Sequence, residues 1–178
     1  MTFRLMRFFR RPNRTKPPSP ASPSTQFLLS RHRKSDVPCA CGYNLRGLAV
    51  QSLCPECGRK ARLYWEQHAV SCSGQTTDAM IFLADAIKRR PAPAAHVSAR
   101  QLCEFIRDLA AAQAGSVELG RAMLAETLGI THSEQIGALV FALVECGLLK
   151  AEAGDSPDDF DGVFESAGFW NTTDPSPP

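Results

Sequence analysis

From Thr76 to Gly147 the apolar residues recur every three or four positions, the period of helices with one buried face. Ala79, Met80, Leu83, Ala84 and Ile87 make the first stripe, which runs into Lys88, Arg89 and Arg90 and is broken by Pro91 and Pro93. Ser98, with Gln101 three residues on, is a start signal for a second helix. Its stripe is Leu102, Phe105, Ile106, Leu109 and Ala110. After Gly115 and Ser116 a third helix is predicted to about Leu128, with Gly129 as its left-handed stop. Thr131 and Glu134 read as the capping box of a fourth, whose stripe is Ile136, Leu139, Val140, Leu143 and Val144 and which ends at Gly147. Leu148, Leu149 and Lys150 suit a brief extended piece.

On either side the pattern changes. Residues 152–165 hold Glu152, Asp155, Asp158, Asp159, Asp161 and Glu165 with no Lys or Arg. Phe160, Phe164, Phe169 and Trp170 are expected to pin this acidic tail onto the helices. Residues 171–178, rich in proline, are expected to be loose. Residues 37–64 are rich in Gly and Cys and have no helical period; 65–75 read as a linker. Residues 1–36 scatter five prolines among Ser, Thr and Lys and read as a disordered basic arm. The expected fold is therefore mainly α: a small β module over 37–64, then a compact helical bundle of about four helices over 76–170. There is no internal repeat.

Charge divides along the same boundaries. The 178 residues carry a net charge of only +2. Residues 1–36 contribute +8, residues 37–64 contribute +3 and residues 65–178 contribute −9. That split excludes a uniformly basic nucleic-acid binder and a uniformly acidic one. In the arm, Phe3, Leu5, Met6, Phe8 and Phe9 can form one apolar helical stripe between arginines, a segment suited to RNA or anionic lipid when it is not simply solvated. Arginines interrupt its apolar residues, which makes MTFRLMRFFRR a poor secretory signal. No apolar run approaches the ~20 residues of a membrane helix.

Seven cysteines are present, four of them within nineteen residues: Cys39, Cys41, Cys54 and Cys57. An odd total and this clustering argue for metal ligands rather than a disulfide framework, and hence for a reducing, cytoplasmic setting. Cys39-Ala-Cys41, twelve residues, then Cys54-Pro-Glu-Cys57 is the spacing of two turns facing one tetrahedral zinc ion. Gly42 and Gly58 follow the second cysteine of each pair, where a positive φ points backbone N–H groups at sulfur. The first pair is C-x-C, so its turn must be tighter. A rival set, Cys54, Cys57, His68 and Cys72, has finger-like spacing but strands Cys39 and Cys41. Cys103 and Cys146 fall on helical stripes and read as small buried hydrophobes. With one structural zinc as cofactor, the module over 37–64 is expected to be a zinc ribbon.

The stretch CACGYNLRGL followed by CPECG, residues 39–58, resembles a zinc-ribbon motif recurrent in uncharacterised bacterial proteins, written CGY(D/N)LRGL then CPECG. The second half resembles the Minf family of bacterial helical proteins. The matching residues are His96–Ser98, Gly129–Ile130, Gly137, Val140, Phe141, Leu143–Glu145, Gly147, Leu148, Asp155, Ser156, Asp159 and Phe160. Leu128 and Ile136 stand where the family pattern has Trp and Phe, swaps that keep the positions apolar. The family has no established activity, so the resemblance implies architecture rather than chemistry.

Three functions compete. A winged-helix DNA-binding regulator would need Lys or Arg on the fourth helix, which offers none, and the acidic segment after it repels phosphate, so duplex DNA is disfavoured. An enzyme would draw on His96, His132, the acids of 155–165 or a free thiol. His96 and His132 flank helix starts, and no phosphate loop or nucleophile elbow is present, so no catalytic residue is assigned. The reading preferred is a non-enzymatic interaction protein. Tyr43, Arg46, Arg59, Lys60 and Arg62 form its candidate binding surface, for a protein or ribonucleoprotein partner, with RNA contact through the ribbon and the arm.

Overall fold

The computed structural model describes residues 7–8, 36–89 and 97–171. The rest of the basic arm, the Pro91–Pro93 break, His96 and the expected loose end at 172–178 lie outside the described residues. Among the described residues there are five helices: α1 (Ala61–Ser73), α2 (Thr77–Arg89), α3 (Ala99–Ala114), α4 (Val117–Leu128) and α5 (Ser133–Glu145). Strand among the described residues is confined to a parallel pair, β1 (Arg7–Phe8) on β2 (Lys150–Ala151), and a 3-10 turn spans Pro157–Phe160. At Arg7–Phe8 the chain is therefore extended, not part of a helical stripe.

The chief correction is α1. Residues 65–75 were expected to link two modules, but the helix begins at Ala61 and runs to Ser73. Its buried face is only Ala61, Trp65 and Ala69, spaced by four, with two of the three small. So narrow a stripe gives little periodic signal, and the helix owes its stability to packing on α5. The four helices expected from 76 onward are all there. Ser98 Oγ accepts the Gln101 N–H at 3.2 Å and Gln101 Oε1 accepts the Ser98 N–H at 2.9 Å, completing the box at α3. Gly129 stops α4 at φ 70°. The box at α5 is displaced by one residue: Gln135 Oε1 accepts from His132 N–H and Thr131 N–H, at 2.9 and 2.7 Å.

α5 is the hub. Ser133, Ile136, Gly137 and Leu139–Leu143 are all buried, because α1, α3 and the 3-10 turn surround it. α3 and α4 form the other close pair, and α2 packs on α3. The acidic tail is pinned as expected. Phe160 and Phe169 are fully buried and Phe164 nearly so. Ser133, itself fully buried, accepts the Val163 and Phe164 N–H groups at 3.0 and 3.4 Å. Arg107 lies over the Phe169 ring and donates to its carbonyl at 2.7 Å, while Arg121 lies over Trp170. Val37, Cys39, Leu45 and Cys54 belong to the same core as the helices. No single helix among the described residues is long and apolar enough to cross a membrane.

Candidate metal centre

Two short hairpin turns hold the four clustered cysteines. In the first, Cys39 N–H donates to Tyr43 O and Gly42 N–H to Cys39 O, both at 2.8 Å, with Leu45 N–H on Val37 O at 2.8 Å farther out. In the second, Cys54 N–H donates to Arg59 O at 2.7 Å, Gly58 N–H to Cys54 O at 2.8 Å and Ala61 N–H to Ser52 O at 3.0 Å. The second turn is the first with one residue added. C-x-x-C closes four residues on, at Gly58, where C-x-C closes at Gly42 after three, so the first turn is the tighter one. Gly42 and Gly58 have φ of 89° and 70°. Each turn then aims backbone N–H groups at sulfur: Cys41 at Cys39, Tyr43 at Cys41, Arg59 at Cys57.

The turns face each other. Cys39 Sγ lies 3.4 Å from Cys57 Sγ and Cys41 Sγ lies 3.6 Å from Cys54 Sγ. All four sulfurs fall within 4.8 Å of one another, and none is in a disulfide. A tetrahedron with metal–sulfur bonds of about 2.3 Å has edges of about 3.8 Å. The cluster matches that edge, and four thiol donors are what a soft or borderline divalent cation takes. Each turn supplies one buried sulfur, Cys39 and Cys54, and one exposed, Cys41 and Cys57.

Crowding sets the thiols against one another. The Cys41 N–H, helped by hydrogen bonds from Tyr64 and Cys57, holds Cys39 down at about 6. Cys57 is drawn down by the Arg59 N–H, but burial and the three neighbouring thiols outweigh it and push Cys57 up to about 12. Cys41 is drawn down by Tyr43 N–H and still ends raised, through burial and contact with Cys54 and Cys39. A cation held among the four removes this conflict, since each sulfur then meets a positive charge.

Tyr64, on the first turn of α1, acts electrostatically on both Cys39, which it helps draw down, and Arg59, which it helps raise. It ties the helix to the cluster, a role that spacing did not reveal. Of the expected binding surface, Arg59 and Lys60 are exposed, and Arg46 is exposed beside Asp36 at 3.7 Å. Tyr43 is half-buried against the core. Arg62 is half-buried and turned to Glu66, Nε to Oε1 2.6 Å, which takes it out of that basic face. Leu53 and Leu63, 58% and 57% exposed, add an apolar component that the sequence reading missed.

The rival ligands do not join the cluster. His68 and Cys72 meet each other on α1, Nε2 to Sγ 3.5 Å. Cys103 and Cys146 are buried. A second group, His132, Glu134 and Glu165, also comes within 4.8 Å, bringing together residues 33 apart that no local spacing joins. His132 Nδ1 lies 3.1 Å from Glu165 Oε1, and Glu134 Oε1 accepts the Gly162 N–H at 3.0 Å. These contacts fasten the acidic tail to the start of α5. No family model, curated protein or solved structure matches the chain. The likeness to the Minf family accordingly rests on its motifs alone.

Proposed function

We propose that this chain is a non-enzymatic interaction protein whose four clustered thiolates hold one structural zinc ion in a small ribbon. The observation that carries the reading is the closed set of four sulfurs at tetrahedral spacing. Four protein ligands leave zinc no open position for water or substrate, so the ion organises a surface rather than performing chemistry. Zinc also compensates for the small apolar core of a module this short, in which Leu45 and Val37 are the main buried side chains.

The surface so organised carries Arg46, Arg59 and Lys60 with exposed Leu53 and Leu63. Cations next to apolar side chains suit an acidic protein surface, or RNA presented within a ribonucleoprotein. Duplex DNA fits less well. α5, the helix in the place of a recognition helix, is buried over most of its circumference and followed by the acidic tail.

The test is elemental analysis joined to co-purification. The intact chain should carry about one zinc per molecule and Cys54→Ser close to none. Partners recovered from the native cell should be lost with Cys54→Ser and with Arg59→Glu/Lys60→Glu. A nuclease arm separates direct protein docking, which persists, from an RNA-bridged complex, which disappears. Unchanged zinc in Cys54→Ser refutes the metal assignment, and partner recovery indifferent to both variants refutes the surface.

A further inference from the structure

A cavity of about 250 Å³ opens between α1, α2 and the end of α5. Met80, Leu83, Ile87, Leu143, Leu148 and Leu149 line it. It is separate from the cysteine cluster, and Leu148 and Leu149, half-buried on its wall, lead directly into β2.

We propose that this groove is the docking site of the chain's own N-terminal segment, residues 3–11, which folds back on the helices as an extended apolar-then-basic strap. Three observations carry it. The first is the register of the parallel pair, Arg7 on Lys150 and Phe8 on Ala151. Parallel strands advance together, so the residues before Arg7 run beside those before Lys150. Continued one register step at a time, the proposed strap would bring Met6 to Leu149 and Leu5 to Leu148, at the groove wall. Residues 3–6, if extended, would reach about 13 Å.

The second is chemistry in the same order. Phe3, Leu5 and Met6 come before the strand pair and meet an apolar groove. Arg10, Arg11 and Arg14 come after it, where the partner strand runs into Asp155, Asp158 and Asp161. The third is the charge division of the whole chain, +8 over residues 1–36 against −9 over residues 65–178, which favours self-association of the arm in cis at low salt. This inference does not depend on the metal.

The experiment uses the full chain. A photo-crosslinking amino acid in place of Met6, activated in dilute protein, should join peptides within Met80–Ile87 or Leu148–Leu149 of the same molecule. Crosslinks elsewhere, or only between two chains on a denaturing gel, overturn the proposal, the latter in favour of a second copy as occupant. Independently, Leu5→Asp/Met6→Asp should speed amide exchange across residues 148–152 about tenfold while zinc content stays the same. Leu5→Ile/Met6→Leu should keep the protection. Exchange unaltered by the aspartates overturns the proposal.

Discussion

Gly120→Ala should destabilise this protein, although the same change inside a helix ordinarily stabilises by about 1 kcal/mol. Gly120 is buried in α4 where that helix crosses α3. A Cβ there would lie 2.6 Å from the Ala111 N, 2.7 Å from the Ala110 carbonyl carbon and 3.0 Å from the Ala111 Cα. Unstrained carbon contacts begin near 3.5 Å, so the helices must separate by about 1 Å. Every obstructing atom is backbone, so no side-chain rotation relieves the overlap. Overpacking of this kind costs about 1–3 kcal/mol, and a rigid obstacle places it at the upper end. Against a propensity gain of about 1 kcal/mol, the net loss is about 2 kcal/mol. That is a fall in Tm of about 4–8 °C for a chain of this size.

Urea unfolding followed by far-ultraviolet circular dichroism measures it directly. Gly137→Ala is the internal comparison. Its Cβ would meet Phe160 Cβ, Cγ and Cδ2 at 3.0 Å, a smaller overlap than the 2.6 and 2.7 Å at Gly120 and against a side chain rather than helix backbone, so it should lose less. Equal or greater stability of Gly120→Ala, or a larger loss at Gly137 than at Gly120, would refute the close backbone approach of α3 and α4.

Two further outcomes follow from the acidic tail. Ser133→Ala removes the buried acceptor of the Val163 and Phe164 N–H groups and should cost about 2–4 kcal/mol, with faster exchange at those two amides; a loss under ~0.5 kcal/mol would show that the groups find other partners. Asp155 is raised to about 6, by burial first and then by the charges of Asp159 and Glu152, against the pull of the Glu152 N–H. The folded state therefore holds this proton more tightly than the unfolded chain, so stability should fall as pH rises from the ordinary carboxylate range to about 6 and then level off. Asp155→Asn should flatten that decline, and an unaltered slope in urea titrations across the range would refute the assignment.

What could be read from the sequence is what local rules decide. The helices α2 to α5, the box at Ser98 and the stop at Gly129 each rest on signals within a few residues and are present, although in α2 Phe82 and Ala86 are buried where the stripe had Met80 and Ala84. The cysteine turns are equally local, and the extra residue of the second pair appears as one extra residue between the hydrogen bonds that close it. Failures came where a side chain answers to something far along the chain. Glu134 was assigned to a cap, but it accepts from Gly162, and Gln135 caps in its place. The aromatic pins were legible, whereas Arg107 and Arg121, the cations they stack under, were not.

α1 is the most consequential of these failures, because it removes the boundary that composition had drawn. Tyr64 on one turn helps draw the Cys39 thiol down, while Trp65 and Ala69 on the neighbouring positions are buried in the core that α1 shares with α5. One helix thus serves both the cysteine cluster and the bundle. A ribbon joined by a flexible linker could lose its metal without consequence for the helices. Cysteine turns that share a core with α1 would pass such a loss on, because Val37, Cys39, Leu45 and Cys54 pack in the same core as Ala61, Trp65 and Ala69, the narrow apolar face that seats this helix.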